Sequence, residues 1–197
     1  MFRRKAAPAT PEWLIVGLGN PGGEYSGTRH NVGFEVVRIL SERHKVALKS
    51  RKFQANYGIG KVRETAVCLV RPMTFMNLSG RAVGALAQHF SLAADRIVVV
   101  YDDMDLDLGR VQLKPFGGTG SHNGMKSVAG AVGTQFPRVR IGIGSPTVAE
   151  IDHVLSHFDR EEIDTMRDAI GRSADACEVI VERGVEGAMS LVNLPRP

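Results

Sequence analysis

Short apolar runs alternate along this chain with stretches of helical spacing. The β-rich runs are WLIVGL (13–18), ANYGIGKV (55–62), TAVCLVRP (65–72), IVVVYDD (97–103), RVQLK (110–114) and RVRIGIG (138–144). Each is the length of a strand and rich in branched residues. Between them, apolar positions recur every three or four residues through 32–44, 79–90 and 123–132, which predicts helices. Strands alternating with helices make an α/β fold, expected here as a mixed, mostly parallel twisted sheet flanked by helices on both faces. Past Arg140 the pattern becomes wholly helical. In its longest helix Ile163, Met166, Ile170, Cys177 and Ile180 share one face, Asp159 with Glu162 forms the cap, and Gly184 is the stop.

The 197 residues suit one buried core, with no linker, repeat or low-complexity stretch to divide it. The expected organisation is a flexible N-terminal extension over residues 1–12 and a single α/β domain over 13–197. No window reaches the roughly 18 apolar residues of a membrane span. The opening MFRRKAAPATPE has basic residues but no apolar stretch behind them, so it reads as a loose tail and not a secretion signal, and the cytoplasm is the expected location. Cys68 and Cys177 have no C-x-x-C partners and are expected to be buried thiols.

Charge adds a functional hint. Residues 1–145 hold 20 Lys+Arg against 10 Asp+Glu, whereas 146–197 hold 5 against 11. A basic body with an acidic C-terminal segment suggests a polyanionic partner on the first and a second region facing away from it.

The loop after the first strand contains Gly17, Gly19 and Gly22 as G-x-G-x-x-G. A dinucleotide site would need a helix starting inside this motif and an acidic residue ending the next strand. Here helical spacing begins only near Val32, and the acidic residue at the right distance, Glu42, falls within that helix. A nicotinamide-dependent enzyme is therefore not the reading. The glycines instead carry Asn20, Tyr25, Thr28, Arg29, His30 and Asn31 from strand to helix. Ligands of open α/β sheets sit beyond the carboxyl ends of strands, where IVVV also delivers Tyr101, Asp102 and Asp103. A histidine oriented by an aspartate is a general base able to take a proton from water. Two further loops bring Met76 with Asn77, and His122 with Asn123 in GGTGSHNG. Asn77, Ser79, Ser121 or Asn123 could equally serve as helix caps, and Asp102 or Asp103 could close a turn. His153 and His157 stand one turn apart like paired zinc ligands, but Val154 takes the place of the glutamate in H-E-x-x-H and no third ligand is evident, so no metal is expected.

The blocks IVGLGNPGGEYSGTRHNVGF, RPMTFMNLSG, VVYDDMDLDLG and GGTGSHNGMKS, followed by RVRIGIG, resemble bacterial peptidyl-tRNA hydrolases in order and spacing, from about Trp13 to the C-terminus. The resemblance implies a cofactor-free and metal-free, monomeric α/β enzyme that cleaves the ester joining a peptide to the terminal ribose of tRNA, with peptidyl-tRNA its partner through the acceptor arm and 3′ end. It implies His30 as the base activating water, Asp102 as its orienting partner, and Asn20 with Asn77 holding the peptide and the attacked carbonyl. Asn123 would position the water or the ester, Tyr25 and Met76 would line the groove, and His122 would tune the site. Lys114, Lys126 and Arg140 match positions that in similar proteins contact acceptor-arm phosphates, a sequence-independent and salt-sensitive mode of binding. Thr119 and Ser121 depart from the family's G-G-H-G-G-H-N-G loop, which bears on that loop's mobility and RNA contacts. Relatives of this fold in plastids that act in RNA splicing offer the alternative of an RNA binder without turnover.

Overall fold

The computed structural model describes residues 10–146 and 149–193. Seven strands form one sheet in the order β2-β3-β4-β1-β5-β7-β6. They are β1 (Trp13–Gly17), β2 (Ser50–Lys52), β3 (Ala55–Val62), β4 (Thr65–Pro72), β5 (Ile97–Asp103), β6 (Val111–Lys114) and β7 (Arg138–Gly142). The four central strands, β4-β1-β5-β7, run parallel, and the pairings outside them are antiparallel. The strands expected from the apolar runs are all present. β2 was not among them, because its three residues are all exposed and two are charged; it is an edge strand without an apolar face.

Helices α1 (Val32–Arg43) and α5 (Ile163–Val192) cover one face of the sheet, while α2 (Ser79–Phe90) and α3 (Asn123–Val132) cover the other. The period of two along β1 divides the core accordingly: Trp13 and Ile15 pack with α1 and α5, Leu14 and Val16 with α2 and α3. Cys68 and Cys177 are buried free thiols, one on each side. Burial pushes the Cys68 thiol up to about 12, which keeps it unreactive.

The C-terminal segment differs from the wholly helical expectation. Beyond β7 only the short α4 (Glu150–Leu155) intervenes, and residues 156–162 are irregular before α5 begins. Asp159 N–H donates to the Glu162 carboxylate at 2.8 Å, one half of the expected capping box. Gly184 does not end the helix; its φ of 77° kinks it, and helical backbone resumes to Val192. Residues 1–9 of the expected extension lie outside the described residues, while Glu12 N–H already bonds Ala66 O at 2.8 Å. No described helix is long and apolar enough to cross a membrane.

Candidate active site

The glycines after β1 serve close packing. A Cβ on Gly17 would lie 2.0 Å from Gly33 O, and one on Gly33 would lie 2.5 Å from Leu18 N and Val100 O, so β1 and α1 touch backbone to backbone. The loop between them makes two single 3-10 turns, at Gly23–Tyr25 and Arg29–Asn31, before α1 starts at Val32. No helix N-terminus faces the glycine motif, which removes the basis of a pyrophosphate site. Within the loop Asn31 clamps Asn20 from both sides: Asn20 N–H donates to Asn31 Oδ1 at 2.8 Å, and Asn31 Nδ2 donates to Asn20 O at 3.0 Å. Asn20 Oδ1 accepts from Met76 N–H at 2.8 Å. Its Nδ2 is thereby oriented and has no protein partner among the described residues.

His30 sits on the second turn, and its Nδ1 faces both carboxylate oxygens of Asp102, at 2.9 and 2.8 Å. Facing an anion, Nδ1 carries the proton and leaves Nε2 with its lone pair. Asp102 is 1% exposed near the end of β5. Burial pushes its carboxyl up, but the imidazoles of His30 and His122 outweigh burial and hold it well below the usual carboxylate range. His122 donates from Nε2 to Asp102 Oδ1 at 3.0 Å, while its Nδ1 accepts Met125 N–H at 3.2 Å. An N–H can only donate, so the His122 tautomer is fixed and its ring caps α3. That cap displaces the expected candidates Ser121 and Asn123. Asp103 closes a turn by accepting Asp105 N–H at 3.0 Å. The ligand atoms of His30, Asp102 and His122 lie within 4.8 Å of one another. A cation among them would have to displace the proton from His122 Nε2 while Nδ1 stays occupied by Met125, which suits a hydrogen-bonded cluster better than a metal centre.

Against this cluster opens a cavity of about 340 Å³. His30, Asp102, His122 and Asn123 line it together with Lys114 and Arg140, bringing six of the expected site residues to one space. Asn20, Tyr25, Met76, Asn77 and Lys126 do not line it. Asn77 and Lys126 are exposed, Tyr25 is half-buried, and Met76 is buried, its Sδ so close to Gly124 that a Cβ there would come within 2.5 Å. Met76 sets its Sδ against Gly124, and its N–H holds Asn20 Oδ1. Neither Asn77 nor Ser79 caps α2 through its side chain, because Ser79 Oγ donates to Met76 O instead.

The family model described as peptidyl-tRNA hydrolase matches residues 14–197. The chain belongs to the peptidyl-tRNA hydrolase family. It is similar to a protein of that name from Chloroflexus aggregans, 45% identical over 185 residues that make up 92% of this chain and 98% of the relative. A second from Geobacillus thermodenitrificans is 47% identical over 171 residues, 85% of this chain and 92% of the relative. The solved peptidyl-tRNA hydrolase of Acinetobacter baumannii superposes with a TM-score of 0.89 at 36% identity, covering 98% of this chain and all of that one. A uridine phosphorylase from Vibrio fischeri, 8% identical with a TM-score of 0.55 over 87% of this chain and 92% of its own, shares the fold alone.

Several residues that shape this hydrolase-family site carry no local sequence signal. Buried Arg29, next to His30, donates to Glu162 at 2.6 Å, to Ser156 Oγ at 3.1 Å and to Ile143 O at 3.3 Å, and stacks on Phe158 at 4.7 Å. With Arg29 N–H on Ser156 O at 2.9 Å, the turn bearing His30 is fastened to the C-terminal segment. Arg138 is 1% exposed and donates to the carbonyls of Gly117 and Gly118 at 2.9 and 2.6 Å, pinning the start of the glycine-rich loop. Burial lowers its guanidinium pKa. Arg140 is held by Asp103 at 2.6 Å and by Gln112, whereas Lys114 is exposed. The acidic segment does not wholly face away, because α4 places Glu150, Ile151 and Val154 on the cavity wall. The supposed zinc pair is split: His153 bonds Gly144 O at 2.9 Å, and His157 lies beyond α4 in a bridge to Thr28.

Proposed function

We propose that this protein hydrolyses the ester between a peptide and the terminal ribose of tRNA, with His30 as the general base. The observation that carries the reading is His30 Nδ1 on Asp102, which leaves Nε2 as the acceptor beside a cavity that also holds Lys114 and Arg140. Water bound at Nε2 gives up a proton as its oxygen attacks the ester carbonyl, and Asp102 stabilises the imidazolium that forms. The oriented Nδ2 of Asn20 donates to the developing oxyanion, with Asn77 beside the peptide and Asn123 toward the water or the ester. When the tetrahedral intermediate collapses, the carbon–oxygen bond to the ribose breaks and the imidazolium returns its proton to the departing ribose oxygen. The products are a peptide acid and a tRNA with a free terminal hydroxyl. None of these steps calls on a cofactor.

His122 acts on Asp102 and not on the substrate, sharing the carboxylate so that its lone pairs stay satisfied. Tyr25 borders the peptide side of the site. Lys114, Lys126 and Arg140 bind acceptor-arm phosphates, with Arg140 held in a fixed orientation by Asp103. The protein works as a monomer in the cytoplasm without a protein partner. The test is release of an N-acetylated amino acid from aminoacyl-tRNA by the wild type and by His30→Ala. Turnover in the first and its loss in the second by about 10²-fold or more is the expected result; tight tRNA binding without turnover in the wild type would instead make the protein an RNA binder.

A further inference from the structure

Phe116 stands out among the residues of the cavity. It is 58% exposed, belongs to neither core cluster, and lines the cavity. Among the described residues no ring stacks on it and no guanidinium covers it. A single exposed apolar side chain is ordinary by itself; what sets Phe116 apart is an aromatic face in a cavity that also holds Lys114 and Arg140. Its backbone is nevertheless firmly held. Lys114, two residues earlier, is the last residue of β6 and pairs in register with Arg138 of β7, and the buried Arg138 guanidinium grips Gly117 and Gly118 immediately after it. The ring is therefore presented from a fixed point, flanked by Lys114 and with Arg140 on the same cavity wall.

A flat aromatic face beside cations that track a phosphate backbone is how proteins hold unpaired nucleobases. On the functional reading above, the ester carbonyl must reach His30, so the terminal nucleoside occupies the cavity. A space of about 340 Å³ is of a size to take a nucleoside. The preceding nucleotide must then lie toward solvent, the side on which a lining residue as exposed as Phe116 can meet it. We infer that Phe116 is a stacking platform for the next-to-last nucleobase of the tRNA 3′ end, which makes it a further substrate-positioning residue. This inference rests on the proposed function for where the 3′ end lies, while the binding measurement below is read independently of turnover.

Two measurements test it. In the first, wild type and Phe116→Ala are assayed on N-acetyl-aminoacyl-tRNA with an intact or an abasic next-to-last nucleotide. Loss of the base should raise KM in the wild type by about 5-fold or more, the lower end of what stacking on one aromatic contributes. In Phe116→Ala the two substrates should give similar KM, because the platform is already gone. If Phe116→Ala keeps the full penalty for the missing base, or responds instead to the identity of the amino acid, the inference is overturned. The second measurement does not depend on turnover. Trp13 is the chain's single tryptophan and is buried, so Phe116→Trp adds an exposed reporter against a constant background. A single-stranded oligonucleotide ending in CCA should quench it at least 5-fold more tightly than the same oligonucleotide abasic at the next-to-last position. Equal quenching by both would refute the inference, whereas base-dependent quenching without hydrolysis would refute the enzyme reading and leave this one standing.

Discussion

Replacing Asp102 by asparagine tests how the site fixes its base. The carboxylate accepts from both imidazoles, with Oδ1 at 2.9 Å from His30 Nδ1 and 3.0 Å from His122 Nε2, and Oδ2 at 2.8 Å from His30 Nδ1. An amide keeps one acceptor and gains two donors. His122 cannot change its tautomer, since Met125 N–H occupies its Nδ1, so the amide oxygen must turn toward His122. The amide nitrogen then confronts His30 Nδ1. Two donors meeting there favour moving the His30 proton to Nε2, the atom that must accept the proton of water, although the retained oxygen also lies 2.9 Å from Nδ1. The charge that stabilised the imidazolium is lost as well. A carboxylate-to-amide change that imposes the wrong tautomer costs about 10⁴-fold in kcat in hydrolytic triads, or ~5.5 kcal/mol. The same order is expected here. Because Asp102 is 1% exposed and its oxygens are taken up by the two imidazoles, KM should change little. Single-turnover release of a labelled N-acetyl-amino acid from tRNA measures the step, and thermal unfolding checks that the variant is folded. A folded Asp102→Asn protein retaining kcat within tenfold of the wild type would refute this reasoning.

Other perturbations follow from the same geometry. Glu162→Gln leaves Arg29 buried without its carboxylate and should cost about 1–3 kcal/mol of stability, read by chemical denaturation. Burial pushes the Glu162 carboxyl up, but Arg29 and Asp159 N–H pull it below its ordinary value of 4.5. Its stabilising contribution is therefore present above the ordinary carboxylate range and lost as pH falls through the lower folded value, so Glu162→Gln should show a shallower loss of stability on acidification than the wild type. Gly33→Ala would set a Cβ 2.5 Å from two backbone atoms and should lower stability by about 1–3 kcal/mol or prevent folding, as circular dichroism melting would report. Lys114→Ala should weaken tRNA binding and reduce the slope of log affinity against log salt by about 0.7–0.9, measured by filter binding at several salt concentrations.

Much of the fold was legible because its signal is local. β3, β4 and β5 begin and end where their apolar runs do, and α2 and α3 span the residues their helical spacing marks. β2 was not legible because an exposed edge strand needs no apolar face. Gly184 was misread because a glycine at positive φ can kink a long helix whose packing continues on the far side, as well as end one. At the site, His30 and Asp102 could be paired from their positions at neighbouring strand ends. Arg29 with Glu162 could not, since 133 residues separate them and the patterns that contain them, a loop block and a helix cap, say nothing of a pairing. The double duty of His122 was also out of reach: histidine is an uncommon cap, and the carboxylate that orders its ring comes from another strand. Arg138 stands in the sequence only as the start of a strand, and only the folded chain brings the Gly117 and Gly118 carbonyls to it.

The most direct test of a poised His30 is its tautomer in solution. In protein labelled with ¹⁵N-histidine, assigned through His30→Gln, the His30 signals should report a protonated Nδ1 and an unprotonated Nε2 at neutral pH. A His30 ring with its proton on Nε2 at the pH of maximal activity would contradict the assignment of this histidine as the group that activates water.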